Sequence, residues 1–318
     1  MHTGGNDVVQ IRPGDLTHDA VSWWELAGHD LDDLAKAWDV LHHAARIPAL
    51  VGSSWASPKG DGTHATLTWM AGQGLLDGIF VSEPVAGARP MRGVLRLWNL
   101  DLFLVEETGV PIEQINLVGR TLDEARAWMI ESTKDQAGEP KRQIQPAKTM
   151  PSSPVSEDGE PFTETSQLAQ AELLRLYGNT ASLLEQVTWT VEGSTPVRVW
   201  PFSMELSVQV RLPQEDKSLP PKFVVMGLAP PGEYASGGYW YVAPWQTQPD
   251  PDTSRWQAPG FGRWIERKGE LPIAVLPIAE VTSTEEPAEQ HSRLASFFAD
   301  AFNESVRHLS QNPDQPQP

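Results

Sequence analysis

The sequence predicts an α+β protein of two halves, each with the order helix–strands–helix and with mainly antiparallel sheets. Three observations indicate this class. Apolar residues recur at helical spacing at the start and end of each half, strand-like runs are grouped between them, and a polar stretch with many prolines separates the halves. Strands grouped in this way favour antiparallel sheets over alternating βαβ units. The repeated order suggests an internal duplication of the fold, although we find no sequence identity between the halves.

The first half, residues 21–132, opens with a predicted helix whose acidic first turn suits the helix dipole. We expect this helix to end near Pro48, because proline lacks the N–H that continues a helix. Four strand-like runs follow, at 64–70, 78–82, 93–98 and 101–106. Thr121 and Glu124 have the spacing of a capping box and predict the start of the closing helix.

A polar stretch at 133–165 is predicted to link the two halves. It is punctuated by prolines and has almost no large apolar residues. Such a segment buries too little apolar surface to offset the entropy lost on ordering. Residues 1–20 and 310–318 are predicted to be disordered ends of the chain.

The second half, residues 166–309, repeats the order. A helix is predicted at about 166–187, and Gly178 leaves a break there open, since glycine is about 1 kcal/mol less favourable than alanine in a helix. Apolar and polar residues alternate strictly over 204–212, which is the clearest strand pattern of the chain. Further strands are expected at 222–228, 238–243 and 271–278. Pro287 is predicted to open the final helix.

Charge and composition exclude several classes of function. The 318 residues include 24 Lys and Arg against 42 Asp and Glu, which gives a net charge of −18. A field of this sign repels phosphate, so we expect no direct binding of nucleic acid and no binding to a membrane. An acidic decoy for a nucleic-acid-binding partner would carry the same charge, but solubility explains it as well. The absence of cysteine excludes disulfides, thiolate metal sites and a cysteine nucleophile.

Targeting signals are not apparent in the sequence. The first residues lack the basic and apolar regions of a signal peptide. No apolar run approaches the ~18–20 residues that span a bilayer. We therefore expect a cytoplasmic protein of a bacterium-like cell.

No complete catalytic motif is present. All eight histidines lie outside residues 65–290, and no Gly-x-Ser-x-Gly sequence offers a nucleophilic serine, which disfavours a serine–histidine–acid triad. The glycine-rich stretch 72–78 lies between two predicted strands. We interpret it as a hairpin connection, because a dinucleotide-binding loop must open a helix.

Metal binding has little support from the sequence. His29 and Asp33 have the i, i+4 spacing of two ligands on one helix face, but acidic residues at a helix start are expected from the dipole alone. His42 and His43 are adjacent, so they point to different sides of a helix. No metal and no cofactor is predicted.

Thirteen tryptophans are the unusual feature of the composition, and aromatic residues are densest at 239–264. Tyr239 and Tyr241 lie two residues apart on a predicted strand and therefore share one face. Trp245 and Trp264 follow in a loop-rich context. Aromatic-rich loops often line a cleft or an interface, although simple core packing uses the same residue types.

Four stretches of the second half resemble the pattern of an uncharacterised bacterial family, a domain of unknown function. They are Trp-Pro-Phe-Ser-Met-Glu-Leu at 200–206, Gly-Leu-Ala-Pro-Pro-Gly-Glu at 227–233, Gly-Tyr-Trp-Tyr-Val-Ala-Pro-Trp at 238–245 and Gly-Arg-Trp-Ile at 262–265. The family pattern is Trp-Pro-His-His-Phe-Asp, then Ser-Pro-Gly-Asp, then Pro-Tyr-x-Tyr-Val-x-Pro-Trp, then Gly-His-Trp-His. The resemblance covers 166–309, and the first half matches only in layout.

The departures from the family pattern bear on function. Ser203 and Glu205 stand where the family has a histidine and an aspartate two residues apart. Arg263 and Ile265 replace the histidines beside Trp264. A histidine–aspartate pair can bind a metal or act as a base and its orienting group, so imidazole-dependent chemistry should be absent here. The resemblance implies no particular activity.

The sequence therefore favours a non-catalytic binding or interaction protein with an aromatic-lined cleft in the second half, which takes a small polar ligand or a protein partner. The candidate ligand-binding residues are Glu205, Glu233, Tyr239, Tyr241, Trp245, Arg263 and Trp264. They should border one cleft if the polar face of 204–212 meets the face of Tyr239 and Tyr241. The alternative is a hydrolase that uses Glu205 and Glu233 as paired carboxylates, for example on a glycoside, at a separation of ~5–9 Å.

Overall fold

The computed structural model describes residues 10–16, 23–28, 30–71, 78–87, 90–143, 159–214, 218–247 and 255–310. The strands are β1 (Leu67–Met70), β2 (Ile79–Ser82), β3 (Met91–Arg96), β4 (Asp101–Glu106), β5 (Pro111–Asn116), β6 (Arg198–Trp200), β7 (Glu205–Arg211), β8 (Phe223–Ala229), β9 (Tyr239–Trp245), β10 (Arg263–Ile265) and β11 (Ile273–Pro277). The α-helices are α1 (Leu31–Trp55), α2 (Leu122–Ala137), α3 (Gln167–Thr190), α4 (Ile278–Val281) and α5 (Pro287–Ser310). Short 3₁₀ helices lie at Pro13–Leu16 and Thr63–Ala65.

All eleven of these strands belong to one sheet, in the order β10-β11-β9-β8-β7-β6-β1-β2-β3-β4-β5. Each pair of neighbouring strands is antiparallel. The halves meet where β1 pairs with β6 and Leu67 lies opposite Val199. The predicted α+β class with antiparallel pairing is confirmed, and the strands of both halves form one continuous sheet.

The two faces of this sheet differ in what covers them. Helices α1, α3 and α5 pack on one face and form the main core with it. In β7, Leu206, Val208 and Val210 are buried beneath the helices, and the residues that alternate with them point to the opposite side. We call that side the helix-free face, because its two apolar clusters contain no helical residue in the described part of the chain.

These two clusters lie in different halves. The tyrosine cluster consists of Ala229, Tyr239, Tyr241, Ile273 and Val275. The valine cluster consists of Val81, Val94, Phe103 and Val105. Between them, Arg198 of β6 donates a hydrogen bond to Thr68 Oγ1 at 2.6 Å and pairs with Glu83 at 3.2 Å. A polar band therefore separates the clusters where the halves join.

The core beneath the helices is continuous across this junction. Tyr177 of α3 is fully buried, and the rings of Trp69 and Phe80 lie 6.0 and 5.3 Å from its ring. The Tyr177 hydroxyl donates to the carbonyl of Met204 at 2.8 Å and accepts from Trp38 Nε1 at 3.2 Å. Because these partners come from both halves, the two halves share one core.

Helix α1 continues to Trp55, past its predicted end at Pro48. A proline inside a helix costs about 3 kcal/mol. Ile47, Val51 and Trp55 around and beyond it are at most 1% exposed, and burial of each such side chain contributes roughly 1.5–3 kcal/mol. Packing therefore outweighs the lost hydrogen bond. The contact is close, since a Cβ on Gly93 of β3 would lie 2.9 Å from the Pro48 carbonyl oxygen.

Helix α3 runs through Gly178 without a break. A Cβ at this position would lie 2.3 Å from Cζ3 of Trp24, so the glycine lets the indole pack directly on the helix. The predicted capping box of α2 is confirmed. Thr121 Oγ1 accepts from the Glu124 amide at 3.2 Å, and the Glu124 carboxylate accepts from the Thr121 amide at 2.9 Å.

Three strands have no counterpart in the sequence-based prediction. Strands β6 and β10 span Arg198–Trp200 and Arg263–Ile265, which is too short for a period of two to show. Strand β5 begins with Pro111 and contains no fully buried residue. Proline and a polar composition suit the edge of the sheet, where β5 lies.

The predicted linker and disordered start each contain ordered residues. Helix α2 extends into the predicted linker as far as Ala137, and Phe162 near its other end is buried. Within the predicted disordered start, the Ile11 amide donates to Asn303 Oδ1 of α5 at 2.8 Å. Residues 1–9, 17–22, 144–158 and 311–318 lie outside the described residues.

The glycine-rich stretch 72–78 connects β1 with β2, which pair antiparallel as a hairpin connection requires. Residues 72–77 lie outside the described residues. Among the helices of the described part of the chain, none has the length and apolar character needed to cross a membrane.

Candidate functional site

Tyr239 and Tyr241 lie on the helix-free face of β9, on the same side of the strand as predicted. Tyr241 lies opposite Val275 of β11 in the strand register. Trp240 points the other way, towards the helices, where its Nε1 donates to Thr180 Oγ1 at 2.8 Å. The period of two thus divides one strand between the core and the candidate site.

Glu205 of β7 joins this pair. The Tyr241 hydroxyl donates a hydrogen bond to Glu205 Oε2 at 3.1 Å. Burial raises the pKa of the Glu205 carboxyl above its ordinary value, and hydrogen bonds from Tyr241 and Ser203 oppose the rise. Burial and then the charge of Glu205 raise the pKa of Tyr241 well above its ordinary value. Glu205 and Tyr241 therefore form one hydrogen-bonded unit in which burial shifts the pKa of each group towards its neutral state.

Tyr239 connects this unit with the loop between β8 and β9. Its ring lies 5.5 Å from the ring of Tyr234, nearly perpendicular at 86°, and 6.4 Å from that of Tyr241. Burial raises the pKa of Tyr239 to about 12, with smaller contributions from Glu205, Tyr234 and Glu233. Both carboxylates of the paired-acid hypothesis therefore act on the Tyr239 phenol.

Glu233 and Arg263 line a cavity of about 600 Å³ together with Tyr234. We call it the charged cavity, because its other lining residues are mostly charged: Ile265, Glu266, Arg267, Lys268 and Glu270. Arg263 Nη1 lies 3.8 Å from Glu280 Oε1, and its side chain is 58% exposed. The guanidinium is thus partly balanced by an acid and still open to a ligand.

Trp245 lines a second cavity of about 600 Å³, at the other end of β9. Its side chain is 48% exposed, and its ring lies 5.7 Å from that of Phe223 at an angle of 46°. Val225 and Ala243 contribute further apolar surface. We call this the aromatic cavity. Its polar lining comprises Gln209, Gln246, Thr247, Arg267 and Glu270.

The two cavities adjoin, because Arg267 and Glu270 line both. These residues lie in the turn of the β10–β11 hairpin, where Arg267 Nη1 is 2.7 Å from Glu270 Oε2. Arg267 Nε also donates to the Leu271 carbonyl at 2.9 Å. We call the charged cavity and the aromatic cavity together the hairpin groove.

The seven predicted residues do not border a single cleft. Trp264 lies on the helix-covered side, because its neighbours Arg263 and Ile265 take the helix-free face and side chains alternate along a strand. Its ring is 4.6 Å from that of Trp256, which stacks on His308 of α5 at 4.1 Å. Of the other six, Glu233 and Arg263 line the charged cavity and Trp245 lines the aromatic cavity. Glu205, Tyr239 and Tyr241 line neither cavity of the groove.

Histidine offers no alternative centre in the described chain. His42 Nε2 lies 3.0 Å from the carbonyl oxygen of Phe202. Burial, with His43 and Arg46 adding to it, lowers the pKa of His42 to about 4. His29 lies outside the described residues. Within the described ranges, no group of three or more histidine and acidic side chains is arranged to hold a metal ion.

Some residues of the groove were not predicted from the sequence. Phe223 begins β8 two residues before Val225, and the period of two places both on one face. Its pairing with Trp245 depends on the register between two strands, which the sequence does not show. Arg267 and Glu270 carry no signal beyond their charge, since a turn rich in charged residues is ordinary.

No protein-family model, no curated protein and no solved structure matches this chain. The resemblance to a bacterial family of unknown function therefore stays a prediction.

Proposed function

We propose that this chain is a non-catalytic binding protein and that the hairpin groove is its binding site. The observation that carries the proposal is Trp245, an indole left 48% exposed inside a cavity of about 600 Å³. Ligand sites typically combine an apolar, aromatic lining with a few polar groups that fix orientation, in cavities of about 300–1,000 Å³.

The tyrosine cluster supports the apolar lining of the groove. Tyr241 and Val275 of this cluster are 5% and 0% exposed, and the residues packed against the cluster that also line the two cavities are Val225, Tyr234, Ala243 and Ile265. Trp245 and Phe223 supply apolar contact area at one end. At the other end, Glu233 and Arg263 supply charges of opposite sign. This combination suits a small polar ligand with one apolar surface.

A hydrolase that uses Glu205 and Glu233 remains the second candidate. It is favoured by the burial of Glu205, which raises the pKa of this carboxyl above its ordinary value, the direction that a general acid requires. The position of Glu205 weighs against it. This carboxyl accepts a hydrogen bond from Tyr241 and lines neither cavity of the groove. Hydrolysis of aryl glycosides that is lost in both Glu205→Gln and Glu233→Gln would establish the enzyme instead.

The proposal places the protein in the cytoplasm of a bacterium, without direct binding of nucleic acid or membranes. The net charge of −18 supports the exclusion of nucleic acid, because phosphate is repelled at long range. A gel-shift titration with nucleic acid at low salt checks this part separately, because any electrostatic attraction to phosphate would be strongest under that condition.

A thermal-shift screen of small polar compounds on the full chain tests the binding function. A ligand of the native state raises the apparent melting temperature. We expect hits whose shift is lost in Trp245→Ala or in Arg263→Gln. Two exposed residues elsewhere supply controls, Trp189→Ala on α3 and Glu131→Gln on α2. Hits that respond equally to groove and control variants would contradict the proposal.

A further inference from the structure

The aromatic cavity has the chemistry of a site for a sugar ring. We propose that it binds a neutral pyranose oligosaccharide. This inference rests on the proposed function, because it specifies the ligand class of the same groove.

The apolar surface of the cavity has a shape and polarity that suit a sugar ring. Trp245 presents a half-exposed indole, and the tilted ring of Phe223 at 5.7 Å extends the surface across β8 and β9. The face of an aromatic ring carries negative partial charge and attracts weakly positive hydrogen atoms. A pyranose offers such hydrogens, since the C–H groups of one side form a flat apolar patch while the hydroxyls project from its edge.

The polar groups around the indole include two neutral amides and a hydroxyl. Gln209 projects from β7, and Gln246 and Thr247 follow directly after β9. A primary amide both donates and accepts hydrogen bonds, and a hydroxyl does the same. Sugar hydroxyls have this dual character as well, so neutral amides and a threonine complement them without a change in charge.

The aromatic cavity itself disfavours an anionic ligand. The guanidinium of Arg267 is engaged by Glu270 at 2.7 Å and by the Leu271 carbonyl at 2.9 Å. This pair therefore offers no free cation to a phosphate or carboxylate, and the chain as a whole carries a charge of −18. A neutral ligand has no such repulsion to overcome.

The size of the groove indicates an oligosaccharide rather than a single sugar. The aromatic cavity has a volume of about 600 Å³ and continues, past Arg267 and Glu270, into the charged cavity of similar volume. A ring stacked on Trp245 would leave room for linked residues along the β10–β11 hairpin. The charged cavity would then contact hydroxyls of the outer residues.

Isothermal titration of the full chain with maltotriose, cellotriose, mannotriose and triacetylchitotriose tests this assignment. We expect binding of at least one trisaccharide, with affinity reduced tenfold or more by Trp245→Ala, as is typical of a central aromatic contact. Trp245→Phe should lose less, because a smaller aromatic face remains, and Gln209→Ala should reduce affinity less than Trp245→Ala. The matched control is Trp189→Ala, which removes an indole that is 70% exposed on α3 and should leave affinity unchanged.

The outcomes separate the ligand class from the site. Trisaccharide binding that Trp245→Ala leaves unchanged would overturn the proposed sugar site. If no trisaccharide binds but a compound from the thermal-shift screen does bind in a way that depends on Trp245, the assignment of a sugar ligand would be overturned. The proposed binding function of the groove would be retained. The absence of both would overturn the two proposals together.

Discussion

The two faces of the sheet differ in how their aromatic side chains are covered. On the helix-covered face, Phe80 is fully buried and its ring contacts those of Trp69 and Tyr177 at 5.9 and 5.3 Å. On the helix-free face, Phe103 is 7% exposed, and the guanidinium of Arg96 lies over its ring at 5.0 Å. The first ring is enclosed by other rings, whereas the second is covered by a flexible side chain.

The same contrast extends to the polar groups. On the covered side, His42 is held neutral by burial. On the helix-free face, Glu205 is paired with Tyr241, and Trp245 remains half-exposed. The large apolar core therefore lies under the helices, while the helix-free face carries two small apolar clusters beside half-exposed and polar groups.

The largest expected effect compares two identical substitutions on opposite faces. Phe80→Ala should cost about 3–5 kcal/mol, because the enclosed site is left with a cavity. Phe103→Ala should cost less, about 1.5–3 kcal/mol, since only the free energy of burying the ring is lost and the Arg96 side chain can move into the space. Urea unfolding of both variants, with m-values compared, measures the difference. Equal losses would show that the helix-free face is packed as tightly as the covered one.

The pH dependence of stability tests the covered face through His42. Its pKa in the folded protein is lowered to about 4 from the ordinary 6.5, chiefly by burial and then by His43 and Arg46. The Phe202 carbonyl and Asp39 oppose this shift. The unfolded chain therefore binds this proton more readily. The stability that depends on neutral His42 is present above pH 6.5 and is lost as the pH falls towards 4, by at most about 3 kcal/mol.

Replacement of His42 by glutamine removes this titration and keeps a donor for the Phe202 carbonyl. The fall in unfolding free energy between pH 6.5 and pH 4 should become shallower in His42→Gln than in the parent chain. Urea midpoints at half-unit pH steps provide the measurement. Parallel curves for the two proteins would mean that His42 is not held neutral by its surroundings.

Much of the fold could be predicted from periodicity, because burial on one face imposes it. The alternation over 204–212 predicted β7, and the capping box predicted the start of α2. The predicted end of α1 at Pro48 was wrong, because packing outweighs the low helix propensity of proline. That packing involves Gly93, a residue far away in sequence. The joining of the halves into one sheet rests on the single register pair Leu67 and Val199, to which no sequence pattern points.

The candidate site could be predicted only as far as side chains share a strand. Tyr239 and Tyr241 lie together for that reason. Trp264 was placed in the cleft because the short strand β10 was not recognised. In that strand, the same alternation puts Trp264 on the face opposite to Arg263 and Ile265. Contacts between strands, such as Trp245 with Phe223 and Arg267 with Glu270 across a turn, depend on register and loop geometry, which the sequence leaves open.

The smallest expected effect concerns Glu205 on the helix-free face. Its pKa in the folded protein is raised, chiefly by burial, so the protonated form is favoured by the fold and ionisation at neutral pH costs stability. Glu205→Gln keeps the acceptor for Tyr241 and removes the charge. We expect the unfolding free energy to rise by up to about 1 kcal/mol at pH 7.5 and to change little at pH 4. The rise is small because Glu205 is partly exposed and solvent screens its charge.

Thermal melts at both pH values measure this effect, and Glu131→Gln, which removes an exposed carboxylate on α2, is the matched control. A gain of about 1 kcal/mol corresponds to roughly 2–4 °C for a domain of this order of size. A loss of stability in Glu205→Gln at pH 7.5 would mean that the Tyr241 hydrogen bond depends on the negative charge. The Glu205–Tyr241 unit would then be a charged pair, and the helix-free face would hold its carboxylate ionised despite burial.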